Sequence, residues 1–458
     1  KRWKKWPRCW SKLSEPNLFT TKAIKKLLVP LIFEQFMIVL VGLADTMLLS
    51  GVNESALAAF SLVDNINLLL TQVFMAIGAG GSIIAAQYLG NRDRGSAENT
   101  AMQTFLMVLS VSTLIAVPTA LLNSPLLSLL YPGVNPAIMA YGRRYMVITA
   151  LSYPLYGLYN SGVSMLYAQG YSRLSMLTSV MMNTGKIALN VILINVMKMD
   201  VTGAGLATLF SRLIGAYMVT RFLMDEHAPI HFPKPFRFRF DLPMIRRILS
   251  VALPSGLENV IFLACKLVIG ILIAGYSSAM IAANAAATTI SAYISIPANA
   301  INLTTITIVS QCIGAGRTGE ARQSTVKLQI ASYISLFLMS GLVAALSGPL
   351  VGMLNLTPEA HALTRNIILL YSFLAVFFWA PAFGLPNSLR AAGDNRFVMY
   401  AAVFSVVVLR TGGSFVLGNL MGLQVDGIWY AMYLDWIARS VFFVLRFRSG
   451  KWERHRLV

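Results

Sequence analysis

Long apolar stretches recur along the whole chain, and they limit its possible folds more than any other feature. A helix of about 20 apolar residues is needed to cross a hydrocarbon layer about 30 Å thick. Stretches of roughly this length follow one another, for example Val251–Ala274 and Ile330–Leu346. Charged residues make up 12 % of the 458 residues, against about 25 % in soluble domains. The sequence therefore predicts an all-α integral membrane protein.

Twelve transmembrane helices are predicted from the lengths of these stretches and the polar connections between them. The spans are 27–49, 56–88, 100–122, 141–168, 176–197, 203–223, 249–274, 279–311, 327–347, 366–389, 397–419 and 426–446. The longer spans must tilt or protrude from the bilayer.

The second half of the chain repeats the first. Pro30 and Glu34 in the first span are echoed by Pro254 and Glu258 in the seventh, an offset of 224 positions (254 minus 30). The same offset joins Gln87 to Gln311, Gly90 to Gly314, Pro125 to Pro349 and Gly203 to Gly427. Because each half holds an even number of spans, we expect two six-helix bundles related by a pseudo-twofold axis along the membrane normal.

Lysine and arginine concentrate in alternate connections and at both termini. The formal charge of +19 is thus a topology signal and not a nucleic-acid-binding face. We expect the side of the membrane that holds these basic connections and both termini to be the cytoplasmic side, in the inner membrane of a prokaryote. The predicted parts are a basic leader (1–26), an N-lobe (27–224), a cytoplasmic linker (225–247), a C-lobe (248–447) and a basic tail (448–458).

Ionisable residues also lie within the predicted spans, where an unpaired charge costs at least about 2.5–3.5 kcal/mol. Acids and bases at repeat-equivalent positions suggest one interhelical ion pair in each lobe. An acid and a base four residues apart on the twelfth span suggest a local pair. The predicted pairs are Glu34 with Lys186, Glu258 with Arg410, and Asp435 with Arg439.

Asp45, Asp64 and Lys266 also lie within the spans, and each has an uncharged residue at the equivalent position of the other half. The two acids lie at comparable depth in the N-lobe, so they are predicted to form a cluster that binds a proton or a cation. Alternatively, Arg212 pairs with one of them and the cluster is structural. Lys266 either neutralises Glu258 or attracts an anionic group of a substrate.

Several short motifs together resemble the multidrug and toxic compound extrusion (MATE) family. They are Pro30 followed by Gly42-Leu43-Ala44-Asp45-Thr46, the Gln-x-x-Gly segments at 87 and 311, Ala188-Leu189-Asn190-Val191, and Gly203-Ala204-Gly205-Leu206-Ala207-Thr208. The resemblance covers essentially the whole chain. It implies a proton- or sodium-coupled antiporter that exports organic, cationic or amphipathic compounds, with no cofactor and no metal site beyond one for Na⁺.

The resemblance also implies roles for single residues. Asp45 would take part in ion coupling, with Asn190 and Thr208 nearby, and Pro30 would let the first span bend. Ile194 stands where many members carry a second acid, and the tenth span (Ile367–Leu389) contains no acid. The chain therefore looks more like the DinF-like side of the family, and we expect protons rather than sodium.

Aromatic residues in the spans are candidates for the substrate cavity, because organic cations bind through stacking and cation–π contacts. The candidates are Tyr153, Tyr293 and Phe383, together with Lys266. We expect a monomer whose partners are small organic molecules and membrane lipid. A lipid or lipid-linked flippase of the same superfamily is the alternative. Enzymatic activity is not expected, because all four histidines lie outside the spans.

Overall fold

The computed structural model describes residues 18–50, 54–232, 239–354, 356–455 and 457–458, without the side chains of 43–50. Most of the predicted leader and part of the linker, as well as the Asp45 side chain, therefore lie outside the described residues. The described elements are helices of three kinds: α-helices, π-helices and one short 3₁₀ helix.

Twelve helical segments follow one another along the chain. They are α1 (Thr21–Ser50), α2 (Glu54–Gly90), α3 (Arg94–Leu121), α4 (Pro136–Leu151 and Tyr153–Ala168), α5 (Ser172–Val196), α6 (Asp200–Leu223), α7 (Leu242–Ala274), α8 (Ser278–Ile294 and Ile296–Gly314), α9 (Thr318–Ala345), α10 (Pro358–Ala392), α11 (Asn395–Leu420) and α12 (Gln424–Arg448). Short helices Asn123–Leu130 and Ser347–Gly352 precede α4 and α10.

These segments confirm the predicted spans. Among the described residues, ten helices are long and apolar enough to cross a membrane. The other two segments are α1, whose last side chains lie outside the description, and α4, which is interrupted at Ser152. Pro30 lies inside α1, and the helix continues on both sides of it.

Proline explains two interruptions that the sequence pattern did not show. α4 breaks at Ser152 and α8 breaks at Ser295, each two residues before a proline, Pro154 and Pro297. Proline has no N–H to donate and its ring displaces the preceding turn, so the helix restarts there. Elsewhere the helices contain π-helical stretches, at Val191–Val196, Ala380–Gly384, Ser405–Gly412 and Ser414–Leu420.

The linker is shorter than predicted, because α7 begins at Leu242. The Asp241 carboxylate accepts a hydrogen bond from the Met244 N–H at 3.2 Å, which caps the helix. Pro243 occupies the first turn, where its missing N–H has no helical partner to lose. Residues 242–247, predicted as linker, therefore belong to the first helix of the second half.

Two large buried apolar clusters form the core, one mainly in the first half with a contribution from α7, and one in the second half. The first half packs around Phe74, Tyr153 and Met165, and the second packs around Trp379, Trp429 and Trp436. We refer to α1–α6 as the N-lobe and to α7–α12 as the C-lobe. The end of the molecule where α1 begins and α12 ends is called the basic end, because it carries most of the lysine and arginine in the connections.

Three hydrogen bonds between neutral groups help to join the two lobes at the basic end. Side chains at the ends of α2 and α8 donate to main-chain carbonyls at the ends of α10 and α4. These bonds are Gln87 Nε2 to Ala391 O (2.8 Å), Gln311 Nε2 to Ala168 O (2.7 Å) and Thr307 Oγ1 to Tyr167 O (3.0 Å). We call these three bonds the basic-end gate.

Two glycines allow α2 and α8 to approach closely at the gate. A Cβ atom at Gly314 would overlap the main-chain oxygen and carbon of Gln87, and one at Gly90 would overlap those of Gln311. Gly90 and Gly314 are repeat-equivalent. Neither helix can carry a side chain here without moving away from the other.

The gate fixes the conformation of the molecule. Within the described ranges, every hydrogen bond between the two lobes lies at the basic end. The structure therefore shows a state that is closed at the basic end, and the described residues at the opposite end form no hydrogen bond between the lobes.

Candidate functional site

Asn190 and Thr208 lie on α5 and α6, which pack against each other, and α1 packs against α5. Both side chains are buried, with 2 % and 6 % of their surface exposed. Asn190 is the last residue before the π-helical stretch Val191–Val196, a type of distortion that often occurs at functional sites. Asn190 and Thr208, the two residues expected near Asp45, are thus buried on neighbouring helices, while the Asp45 side chain itself lies outside the described residues.

Ile194 occupies the position where many members of the resembled family carry a second acid. It is 3 % exposed and belongs to a buried apolar cluster of the N-lobe that also contains Tyr145, Met146 and Val201. The π-helical stretch therefore contributes a packed apolar side chain here.

Arg212 does not neutralise Asp64, the role that the structural alternative gave it. Its guanidinium donates to Ser152 Oγ at 2.6 Å and lies 4.6 Å from the centre of the Tyr156 ring. Asp64 is exposed on α2, and between these two described side chains there is no ion pair. Among the described contacts, Arg212 thus joins α4 and α6 inside the N-lobe.

The candidate cavity residues occupy different environments. Tyr153 is completely buried, and its hydroxyl donates to Asn67 Oδ1 at 2.6 Å, so its assignment to the cavity surface is wrong. Phe383 is partly buried, with its ring 5.4 Å from Trp379. Tyr293 is also partly buried, and Lys266 is exposed on α7.

Glu34 has partners other than the predicted Lys186. Its carboxylate accepts hydrogen bonds from the Tyr167 hydroxyl at 2.9 Å and from Ser175 Oγ at 2.9 and 3.1 Å. The side chain is 2 % exposed. The pair predicted between Glu34 and Lys186, both described residues, is wrong, because two hydroxyl groups occupy the carboxylate.

The predicted pair between Glu258 and Arg410 is also wrong. Glu258 Oε2 accepts from Arg390 NH2 at 2.6 Å. Arg410 lies instead 3.8 Å from Asp435 Oδ2, with its guanidinium 5.3 Å from the centre of the Phe262 ring. Arg390 lies three residues before Gly393, the residue that caps the end of α10.

The local pair between Asp435 and Arg439 is confirmed. Asp435 is completely buried, and its Oδ1 accepts from Arg439 Nε at 2.7 Å and from Ser405 Oγ at 2.5 Å. Arg439 also donates to the Ala402 carbonyl at 3.2 Å and lies 5.4 Å from the Phe383 ring centre. This group of side chains ties α10, α11 and α12 together within the C-lobe.

Replacing Asp435 with asparagine is expected to destabilise the C-lobe. Arg439 and Arg410 would then lie in a buried site without their carboxylate, and breaking such a pair costs about 3–5 kcal/mol. The apparent melting temperature of the purified protein in detergent measures the effect. The control is Glu453→Gln. Glu453 Oε1 lies 3.9 Å from NH1 of the half-exposed Arg322, so this change should alter the free energy of unfolding by less than about 1 kcal/mol. Equal melting temperatures for the two variants would contradict the prediction.

Across the described residues, no group of three or more His, Cys, Asp or Glu side chains is placed to hold a metal ion. The buried polar residues at the site are instead amides and hydroxyls, for example Asn190 and Thr208.

Comparison with known proteins places this arrangement in a family. The sequence model of the MatE family matches residues 30–192 and again residues 254–416. The two matches start 224 positions apart (254 minus 30) and end 224 positions apart (416 minus 192), which is the register of the internal repeat.

Curated relatives match along nearly the whole chain. The uncharacterized transporter YisQ of Bacillus subtilis is 24 % identical over 435 residues, which covers 92 % of this chain and 93 % of YisQ. The probable multidrug resistance protein NorM of Thermotoga maritima is 24 % identical over 458 residues, covering 95 % and 94 %.

Solved structures share the fold. A MATE family multidrug resistance transporter described as outward-facing superimposes with a TM-score of 0.86 at 17 % identity, covering 94 % of this chain and 96 % of that one. The twelve-helix arrangement in two lobes is thus that of MATE transporters. The double match of the family model decides the assignment: the chain belongs to the MatE family and is a multi-pass membrane transporter of the multidrug efflux type, not an enzyme.

Proposed function

We propose that this chain is a cation-coupled antiporter that exports small organic compounds by alternating access. The observation that carries the proposal is the basic-end gate, which joins two similar lobes at an end where, among the described residues, all the hydrogen bonds between the lobes lie. Each of its hydrogen bonds contributes only about 0.5–1.5 kcal/mol net. A gate of this strength holds one conformation closed and still opens during a transport cycle.

The basic end is the cytoplasmic end in this proposal, and the membrane is the inner membrane of a prokaryote. The lysine and arginine residues of the connections at this end support the orientation, because positively charged connections stay in the cytoplasm. The closed gate then makes this an outward-facing state. It is the state in which a carrier releases its substrate and takes up the coupling ion.

The coupling site is assigned to Asp45, with Asn190, Thr208 and Asp64 as further members. The burial of Asn190 and Thr208 on neighbouring helices of the N-lobe supports this assignment. Protons are favoured over sodium, because hard cations are held by several oxygen ligands and Ile194 supplies none. The exported compound is cationic or amphipathic, and the partly buried rings of Tyr293 and Phe383 are candidates for its contacts.

Gradient-driven efflux from lipid vesicles tests the function and identifies the ion. Protein is reconstituted with a fluorescent organic cation, and a proton gradient or a sodium gradient is imposed separately. We expect efflux with the proton gradient and its loss when a protonophore is added. Efflux that needs sodium alone would overturn the choice of ion, and no efflux with either gradient would overturn the proposed function.

A further inference from the structure

Glu34 and Glu258 are repeat-equivalent, but only one of them has a basic partner. Glu258 accepts a hydrogen bond from the Arg390 guanidinium at 2.6 Å. The residue equivalent to Arg390 in the N-lobe is Leu166 (390 minus 224), which cannot balance a charge. Glu34 is bound instead by two hydroxyl groups, those of Tyr167 and Ser175.

This environment suits a group that gains and loses a proton. A hydroxyl group both donates and accepts, so Tyr167 and Ser175 can donate to a carboxylate or accept from a protonated acid. Tyr159 of α4 is a further titratable group near Glu34. Among the described residues, the helices packed against α1, namely α2, α5, α6 and α8, place no lysine, arginine, histidine or acid in contact with Glu34.

Glu34 is also linked to the basic-end gate through one residue. The Tyr167 hydroxyl donates to Glu34, while the Tyr167 carbonyl accepts from Thr307 of the C-lobe at 3.0 Å. The next carbonyl, that of Ala168, accepts from Gln311 at 2.7 Å. A change at Glu34 therefore acts directly on the turn of α4 that carries two of the three gate bonds.

We propose that Glu34 is a second proton site, and that its protonation loosens the basic-end gate through Tyr167. A hydrogen bond to a carboxylate is roughly twice as strong as one between neutral groups. Protonation of Glu34 therefore weakens its hydrogen bond with the Tyr167 hydroxyl. Opening the gate then exposes Glu34 to the basic end, where the proton is released. This inference rests on the proposed function, because it describes how ion uptake drives the change of conformation.

Distance measurements on the substrate-free protein test this coupling. Spin labels are attached to cysteines introduced at Asn91 and Gly319, two exposed positions on opposite lobes at the basic end, with the native cysteines replaced. As pH falls from about 8 to about 5, we expect the ratio of open to closed molecules to rise at least about fivefold. In Glu34→Gln this response should disappear, because glutamine keeps the shape and cannot titrate.

Two further variants separate the possible outcomes. Glu54→Gln makes the same chemical change at an exposed position of α2 and should respond to pH like the native protein. Tyr167→Phe keeps the ring and removes the hydroxyl, so it should also lose the response, even if Glu34→Gln fails to fold. A full pH response in Glu34→Gln, or in Tyr167→Phe, would overturn the inference.

The failure of this inference is distinguishable from failure of the proposed function. The gate distance is measured without substrate, whereas the function is measured as gradient-driven efflux. If efflux occurs and the pH response survives in Glu34→Gln, Glu34 is not the second site. If no gradient drives efflux but the pH response depends on Glu34, the inference stands and the exporter assignment fails.

Discussion

Replacing Asp45 with asparagine is expected to abolish gradient-driven efflux, down to the level of vesicles without protein. Asparagine keeps the size and the hydrogen-bonding atoms of the side chain, but it neither takes up a proton nor balances a cation. Asn190 and Thr208 would remain in place, because they are held by burial within the N-lobe. The measurement is the rate of efflux under an imposed proton gradient, with equal amounts of folded protein.

Two comparisons make the Asp45 result specific. Asp225→Asn changes a carboxylate that caps the turn at His227, outside the helices, and should leave efflux unchanged. Exchange of substrate without a gradient should persist in Asp45→Asn, because the two lobes can still move relative to each other. Undiminished gradient-driven efflux in Asp45→Asn would remove Asp45 from the coupling site.

Replacing Gly314 with alanine is expected to force the basic-end gate open and to stop transport. The new methyl group would overlap the main chain of Gln87, and the main chain cannot rotate away as a side chain does. Overpacking of this kind costs about 1–3 kcal/mol, which matches or exceeds the about 0.5–1.5 kcal/mol that one gate bond contributes. Because alternating access needs both conformations, a protein that cannot close at this end loses its directional cycle.

Accessibility at the gate measures this effect. With the native cysteines replaced, a cysteine introduced at Ala391, which is completely buried in the closed state and joins the gate only through its main-chain carbonyl, should react with a membrane-impermeant thiol reagent at least about fivefold faster in the Gly314→Ala background. Gly319→Ala is the matched control, since nothing lies within 4 Å of the added Cβ. Equal labelling rates in the two backgrounds would show that the close approach of α2 and α8 does not keep the gate shut.

The fold was predictable because its determinants are local or repetitive. Apolar length and the 224-residue register define twelve spans and two lobes without any knowledge of side-chain contacts. The breaks at Ser152 and Ser295 were not predicted, although Pro154 and Pro297 explain them. The π-helical stretches were missed because a shift from the i→i+4 to the i→i+5 hydrogen bond leaves no regular mark in the residue pattern.

The ion pairs were harder to predict. The position of a residue along its helix gives its depth in the membrane, but it does not show which neighbouring helix the side chain faces. Glu258 and Arg410 have similar depth, yet Glu258 meets Arg390 and Arg410 meets Asp435. Only the pair within one helix, Asp435 with Arg439, follows from spacing alone. Hydroxyl partners such as Tyr167 are the least predictable, because serine and tyrosine are common in spans and carry no charge to be balanced.

The neutral character of the basic-end gate has a consequence for its response to salt. Exposed ion pairs weaken as salt concentration rises, whereas bonds between amides, hydroxyls and carbonyls are not screened in this way. A gate of Gln87, Gln311 and Thr307 therefore keeps nearly the same strength at low and at high salt concentration. Salt concentration alone is thus not expected to open or close these three bonds.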